Sequence, residues 1–287
     1  MDRAITIRRI VARLSRLLAP PAVPLVRLEA DGRTIGGLTP SRAQRLAQFD
    51  GIAQRGGVLV VEGDRAARDA AMDAIAHTLA SEGALTAWRD ERYAVRNAFD
   101  EPPLFVVERA AARYLGIRTY AAHVNGLVRT DEGVKMWLAR RSLRKAIDPG
   151  MLDNLVGGGI GAGASIGGTV VKESWEEAGI EAELAAQAVR ASALAIVRAQ
   201  PDGLQDEIVY AHDLWLPAGW RPANQDGEAI EHRLLPLGQV AEVIANDTPP
   251  DVMTADASLV ALDCLVRLGE LPDGGVFDAL RPPAVPS

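Results

Sequence analysis

A chain of 287 residues with 48% hydrophobic and 24% charged residues and only four Phe is ordinary globular material, long enough for one large domain or two modest ones. Its net charge of -7 and pI near 5.2 repel nucleic acid and anionic membrane, so neither is expected as a partner without a local basic patch. One cysteine, Cys264, excludes an intrachain disulfide, a Cys-based zinc site and an iron–sulfur cluster, and suits a reducing cytoplasm, the compartment expected for this chain.

The N-terminal stretch scatters Arg3, Arg8, Arg9, Arg13 and Arg16 among apolar residues, unlike a secretory signal. It reads as a first helix docked on the core and stopped by Pro20-Pro21, with a helix on a membrane surface as the alternative. Helical periodicity follows over Arg42 to Phe49 and Arg65 to Leu79, around a short buried strand, Val58 to Val61, introduced by Gly56-Gly57. An apolar piece, Leu104 to Val107, precedes a helix from Glu108 to Leu115 closed by Gly116. Residues 1 to 117 are therefore expected to form a smaller α+β accessory domain.

From Arg118 the pattern changes to hairpins. Thr119 to Arg129 and Val134 to Arg140 flank the turn Asp131-Glu132-Gly133. Ala193 to Arg198 and Glu207 to Leu216 flank Gln200-Pro201-Asp202-Gly203, with Ile208, Tyr210, His212, Leu214 and Leu216 sharing one face. Residues 118 to 250 are read as the second domain. Residues 251 to 287 are read as an apolar helix, Ala255 to Leu268, ended by Gly269, and a Pro-rich tail from Arg281 expected to be disordered. No internal repeat is present.

Between the hairpins lies GGGIGAGASIGGTVVKESWEEAGI, residues 157 to 180. Its helical part, about Thr169 to Ala178, is stopped by Gly179 and sets Glu173, Glu176 and Glu177 at i, i+3 and i+4. Three carboxylates so spaced repel one another by roughly a few tenths of a kcal/mol per pair, which a bound cation would reverse. Hard cations such as Mg²⁺ take oxygen ligands and are completed by substrate phosphates, so the donor type is right; a merely solvated helix face remains the other reading. The glycines read as a loop that lets backbone approach an anion. Gly158, four residues, Gly163 imitates a Walker A loop, but Ala164 stands where its lysine belongs. Gly157-x-Gly159-x-x-Ala162 is a weak dinucleotide fingerprint, because Gly161, Gly163, Gly167 and Gly168 are expected to deny the helix that should start there.

The stretch resembles the Nudix hydrolase box: Gly158, five residues, Ala164, seven residues, Lys172-Glu173, Ser174, Trp175, Glu176-Glu177, Ala178, Gly179, Ile180. The spacing is intact, while Ala164, Lys172 and Ser174 depart from the Glu, Arg and hydrophobic residue of the pattern. The flanking segments Tyr120 to Val128, Lys135 to Ser142, Pro149 to Gly159, Gly203 to Pro217 and the acidic loop ending at Glu228 resemble the subfamily related to the N-terminal Nudix half of fungal thiamine pyrophosphokinase.

The resemblance implies an α/β chain: a Nudix α/β/α sandwich with a mixed sheet, preceded by the accessory α+β domain. It implies Mg²⁺ or Mn²⁺ held by Glu173, Glu176 and Glu177, with Glu173 the candidate to deprotonate or orient the attacking water. A further acidic ligand is sought at Glu228 first and Glu207 second. Arg140 and Arg141 are the candidates to neutralise a diphosphate, Gly158 and Gly159 to approach it, and His123 and Asn125 to line the pocket. The implied activity is hydrolysis of a diphosphate linkage in a small organic substrate, thiamine diphosphate or its oxidised analogues giving the monophosphate. Alternatives are ADP-ribose, dinucleotide or nucleotide hydrolysis, or a Nudix-derived module that senses a diphosphate without cleaving it. A homodimer is left open. Trp137, Tyr120, Trp215 and Trp220 are read as packing before ring stacking, Cys264 as a buried structural thiol, and the four histidines as lacking metal-ligand spacing.

Overall fold

The computed structural model describes residues 2–280; the Pro-rich tail from Arg281 lies outside them. Helix α1 (Arg3–Leu17), capped by the Asp2 side chain, is followed by strands β1 (Val26–Ala30) and β2 (Arg33–Leu38), helix α2 (Pro40–Leu46), strands β3 (Ile52–Arg55) and β4 (Val58–Val61), and helix α3 (Arg65–Ser81). Strands β5 (Arg92–Val95) and β6 (Phe105–Glu108) pair antiparallel and lead into helix α4 (Arg109–Leu115). The four-stranded sheet has order β2-β1-β4-β3, and Leu28, Leu59, Met72, Phe105 and Leu115 share its core. Only β4 and part of β6 were legible as strands; β1, β2 and β3 are short and carry charged or glycine residues that mask the alternation.

The second half adds β7 (Arg118–Thr130), β8 (Gly133–Arg141), β9 (Leu152–Asn154), β10 (Val156–Gly159), α5 (Ile166–Ala178), α6 (Ala182–Ala185), β11 (Val189–Gln200), β12 (Gly203–Trp215), β13 (Ala229–Pro236), α7 (Leu237–Ile244), α8 (Ala255–Arg267) and α9 (Val276–Leu280). Its mixed sheet has order β11-β12-β7-β8-β13; β12 and β7 run parallel and the other pairs antiparallel. Strand β8 pairs with β7 from Gly126 onward, and β9 and β10 fill the gap where the two strands splay, β10 pairing with β7 and β9 with β8.

Both faces of this sheet are covered, which makes an α/β/α sandwich. Val209 and Ala211 of β12 face a core shared with α1, α7, α8 and α9. Alternate residues Ile208, Tyr210 and Leu214 face α5 and α6. Helix α1 belongs to the first of these layers and not to the N-terminal sheet. Ile10 and Leu14 are fully buried, roughly 1.5–3 kcal/mol apiece over exposure, and the Arg13 guanidinium donates to Asp247, Ile244 O, Ser258 and Met253 O. The buried apolar stripe of α1 is thus packed on this core, and no described helix is long and apolar enough to cross a membrane. Helix α8 likewise buries most of its surface in the same core, so residues beyond 250 complete the sandwich.

Within the N-terminal unit, helix α4 is keyed to β2 by backbone proximity. Gly116 ends α4 in the left-handed region at φ +63°, and a Cβ there would collide with the Gly37 carbonyl of β2. Gly163 also has positive φ but nothing within 4 Å of a Cβ. Gly116→Ala should therefore cost about 2–5 kcal/mol of urea unfolding free energy, strain plus collision, whereas Gly163→Ala should lose only the strain, about 1–2 kcal/mol.

Candidate active site

Helix α5 starts where the Ser165 side chain accepts the Gly168 N–H at 3.0 Å, so Gly167 and Gly168 are its first turn and do not block it. Gly179, at φ +66°, ends it. Val170, Ser174 and Ala178 form its buried stripe, one turn apart. Glu173 and Glu177 flank that stripe, facing β10. Glu176 points further out, at 37% side-chain exposure against 16% for Glu173. The three glutamates are thus divided between two environments.

The glycine run is a strand, not an anion-wrapping loop. Gly157 lies opposite His123 and Gly159 opposite Ala121 of β7. Each missing side chain is a place where another group approaches the backbone. A Cβ on Gly158 would meet the Glu173 carboxylate, one on Gly157 the His123 ring at 2.9 Å, and one on Gly159 the Tyr93 hydroxyl. Tyr93 comes from β5 of the N-terminal unit, whose Arg92 carbonyl also accepts the Ala162 N–H at 2.7 Å.

Glu177 accepts the Gly157 N–H at 2.8 Å. Burial pushes its carboxyl up to about 8; the Gly157 bond opposes this, and neighbouring Asp153 and Glu173 reinforce it. Lys172 donates to Glu173 at 3.0 Å and Glu176 at 2.7 Å. Burial disfavours its ammonium, but the two carboxylates prevail and hold its pKa above the usual lysine range. Standing where the box has arginine, Lys172 therefore gives both carboxylates one shared cation. Among the described residues, no three acidic, histidine or cysteine side chains converge as a ready cation cage. The donor chemistry nevertheless fits a hard divalent ion: the groups are all carboxylates, and two of them already share a cation across one helical turn.

On the other face of β10 is a polar cavity of about 120 Å³. Gly157 to Gly159, His123, Arg141, Lys145 and Asp153 form one part of its lining, and Tyr93, Arg109 and Arg113 of the N-terminal unit another. Arg141 donates to Asp153 at 2.8 Å and to the Ile147 carbonyl at 2.9 Å. Burial lowers the Lys145 pKa although Glu177 lies nearby, and its ammonium is paired with Glu228.

His123 is held through its ring Nδ1 by Asn154 Oδ1 at 2.8 Å. The Asn154 amide nitrogen faces two oxygens, Asn125 Oδ1 at 3.2 Å and the Ala257 carbonyl at 3.4 Å, so its own oxygen must face His123. A neutral His123 consequently carries its proton on Nδ1 and leaves Nε2 as an acceptor on the cavity side.

Several sequence-derived candidates change place. Asn125 is fully buried, bonded to Asn154 and Asp213, and supports His123 without lining the cavity. Arg140 turns away: its guanidinium donates to Glu231, Asp251 and the carbonyls of Gly150 and Pro250, which removes it from the substrate contacts. Glu228 is held by Arg89 at 3.1 Å and by Lys145. Glu207 is in the cavity floor, bonded to Thr119 and Gln205. It pairs with Thr119, four β7 residues from His123, hence about 13 Å from the Gly157 level and away from the box carboxylates. Trp137, Tyr120, Trp215 and Trp220 do not line this cavity; Trp137 packs edge-on against Trp220 at 6.1 Å, and Arg129 covers Trp215. Cys264 is buried, which pushes its thiol pKa up. Lys145, Asp153, Tyr93, Arg109 and Arg113 were not singled out from sequence. Only Asp153, inside the Pro149 to Gly159 segment, lay in a stretch with a signal.

A mixed sheet sandwiched by helices, with box glutamates set against a glycine strand, defines a Nudix-fold protein. Residues 119–256 match the family model of the NUDIX domain, so this part of the chain is a Nudix domain. Residues 21–119 match the domain of unknown function DUF4743, and α1 precedes that match. Nudix hydrolase 20, chloroplastic, of Arabidopsis thaliana is 40% identical over 191 residues, which are 67% of this chain and 50% of the relative. Nudix hydrolase 24, chloroplastic, of the same plant is 39% identical over 199 residues, 68% of this chain and 54% of the relative. The chain thus spans about half the length of these curated relatives. A solved structure, DR0079 from Deinococcus radiodurans, is 21% identical with a TM-score of 0.44, covering 59% of this chain and 97% of that one.

The helix carries two testable consequences. Ser174, in the hydrophobic position of the box, is fully buried with an unpartnered hydroxyl, so Ser174→Ala should raise the urea unfolding free energy by about 1 kcal/mol. Glu177 has a folded-state pKa near 8 against an ordinary 4.5. Stability tied to it is fully present below pH 4.5 and lost as pH rises toward 8. In chelator, wild type should therefore lose stability relative to Glu177→Gln over that interval, read from parallel denaturation curves.

Proposed function

We propose that this protein is a divalent-metal-dependent hydrolase that cleaves the diphosphate linkage of a small organic substrate. The observation that carries the reading is the position of Glu177: it is bonded to the glycine strand that lines the cavity, next to Glu173 and within the field of Lys145 and Asp153. Glu173, Glu176 and Glu177 would hold Mg²⁺ or Mn²⁺ in place of the Lys172 ammonium. When bound, the ion would neutralise diphosphate charge and acidify a water.

The chain's own groups supply the rest. Arg141 and Lys145 place positive charge in the cavity that the glycines line, where it would meet a phosphate. His123 offers Nε2 as a fixed acceptor. In the net reaction, water adds to phosphorus and the phosphorus bond to the bridging oxygen breaks. That oxygen leaves with the other fragment.

The substrate class we favour is thiamine diphosphate or its oxidised analogues, giving the monophosphate and inorganic phosphate. Its support is the resemblance of the segments flanking the box, four of which contribute cavity residues, among them His123, Arg141, Asp153 and Glu207. The single buried cysteine supports a reducing, cytoplasmic setting. A diphosphate-sensing module is favoured by one observation, the Lys172 ammonium lying across Glu173 and Glu176.

Mg²⁺-dependent phosphate release should be measured across thiamine diphosphates, ADP-ribose, dinucleotides and nucleotides. The Glu176→Gln/Glu177→Gln double variant should lose at least about 100-fold in rate on the best substrate. Undiminished hydrolysis by that variant would remove the proposed metal site. Diphosphate binding without release by wild type would favour the sensor.

A further inference from the structure

The cavity at the glycine strand does not end there. A second space of about 80 Å³ shares Tyr93, Arg109, Arg113 and Glu207 with it. A third, of about 440 Å³, shares Thr86, Arg113 and Asp202 with the second. Arg113 lines all three, so the spaces adjoin one another around this side chain, the one of about 440 Å³ forming the wide end. The N-terminal unit contributes lining to each.

Helix α4 carries Arg109 and Arg113 at i and i+4, one above the other on the face toward these spaces. The helix is fixed from both sides, by Gly116 against the Gly37 carbonyl and by its Arg113 carbonyl against Gly203 of β12. Arg109 donates to Glu91 at 2.7 Å, and Arg113 lies 3.6 Å from Asp202. Neither contact uses more than part of a five-donor guanidinium. Arg141 and Lys145 line the same cavity, so four cationic side chains from the two units border it, beside the acidic lining of Asp148, Asp153, Glu207 and Asp256. Several cations around one space suit a group with charge on two neighbouring centres.

We propose that Arg109 and Arg113 are substrate-binding residues contributed by the N-terminal unit. They grip the diphosphate of an organic diphosphate together with Arg141 and Lys145, while the organic group extends into the wide end. The site is then composite, and the N-terminal unit sets which organic groups fit. This inference rests on the diphosphate reading of the same cavity. A space of about 440 Å³ is large enough for a small ring system.

The test uses the full chain with Arg109→Ala, Arg113→Ala and the double variant. Arg113→Lys is the conservative control, and Arg55→Ala, whose side chain is exposed and paired with Glu62, is the surface control. Folding is checked by thermal unfolding. Two readouts are taken: kcat and KM for the best substrate, and calorimetric binding of methylenediphosphonate with Mg²⁺.

Each single alanine variant should lower kcat/KM roughly 10- to 100-fold, mainly through KM. Arg113→Lys should recover part of the loss, Arg55→Ala should stay at wild type, and methylenediphosphonate binding should weaken in parallel. Active wild type with a double variant within twofold in both readouts overturns the inference and leaves the hydrolase reading standing. Wild type that binds methylenediphosphonate but releases no phosphate removes the hydrolase reading alone, and the arginines are then judged by binding. Wild type that does neither removes both.

Discussion

The strand Val156–Gly159 is the constraint on which the site depends. Three consecutive glycines leave its backbone bare, and three different elements use the space: α5 with Glu173, β7 with His123 and β5 with Tyr93. A single methyl group at any of these positions would displace a side chain that now touches main chain. The strand occupies the gap where β7 and β8 diverge, so it also connects the helix carrying the glutamates to the face carrying the cavity. One bare strand thus joins the two units of the chain and both sides of the candidate site.

Electrostatics then decides what the site can hold. Glu177 is buried enough that its charge is disfavoured near neutral pH, and Asp153 and Glu173 add to the cost. Lys172 offsets part of the negative charge by lying across Glu173 and Glu176. The departure from arginine matters here, because an ammonium is a compact point charge without the planar fork of a guanidinium. An apolar position of the box also carries Ser174, leaving a buried hydroxyl unpaired. Both departures cost stability or pairing in the helix while leaving its carboxylates in place.

Behind the cavity the polar groups continue as a chain, from His123 through Asn154 and Asn125 to Asp213 and Arg267. Each buried amide in it has a partner for its nitrogen and its oxygen, which is how so polar a segment survives inside the sandwich. The same bonds fix the imidazole orientation. The Asn125 of a conspicuous His-x-Asn pair consequently acts behind the cavity wall.

Much of the architecture was legible in local pattern. The two hairpins, helix α3, the end of α4 at Gly116, the box helix ended by Gly179 and the apolar α8 follow from periodicity and caps that depend on nearby residues. Box spacing alone pointed to the carboxylate helix. Sequence also located the glycines, but their strand conformation was hidden because glycine has no side chain to alternate. Arg140 and Arg141, adjacent and chemically identical, were indistinguishable until strand pleating sent one toward Glu231 and Asp251 and the other toward the cavity. Helix α1 joined the far layer, and Tyr93, Arg109 and Arg113 entered the site from a different unit, because burial across long chain separations leaves no local period. The sequence by itself determined the elements and the chemistry of their donors; the tertiary structure decided which donors meet, since that depends on strand register and on what the bare glycine strand allows to approach.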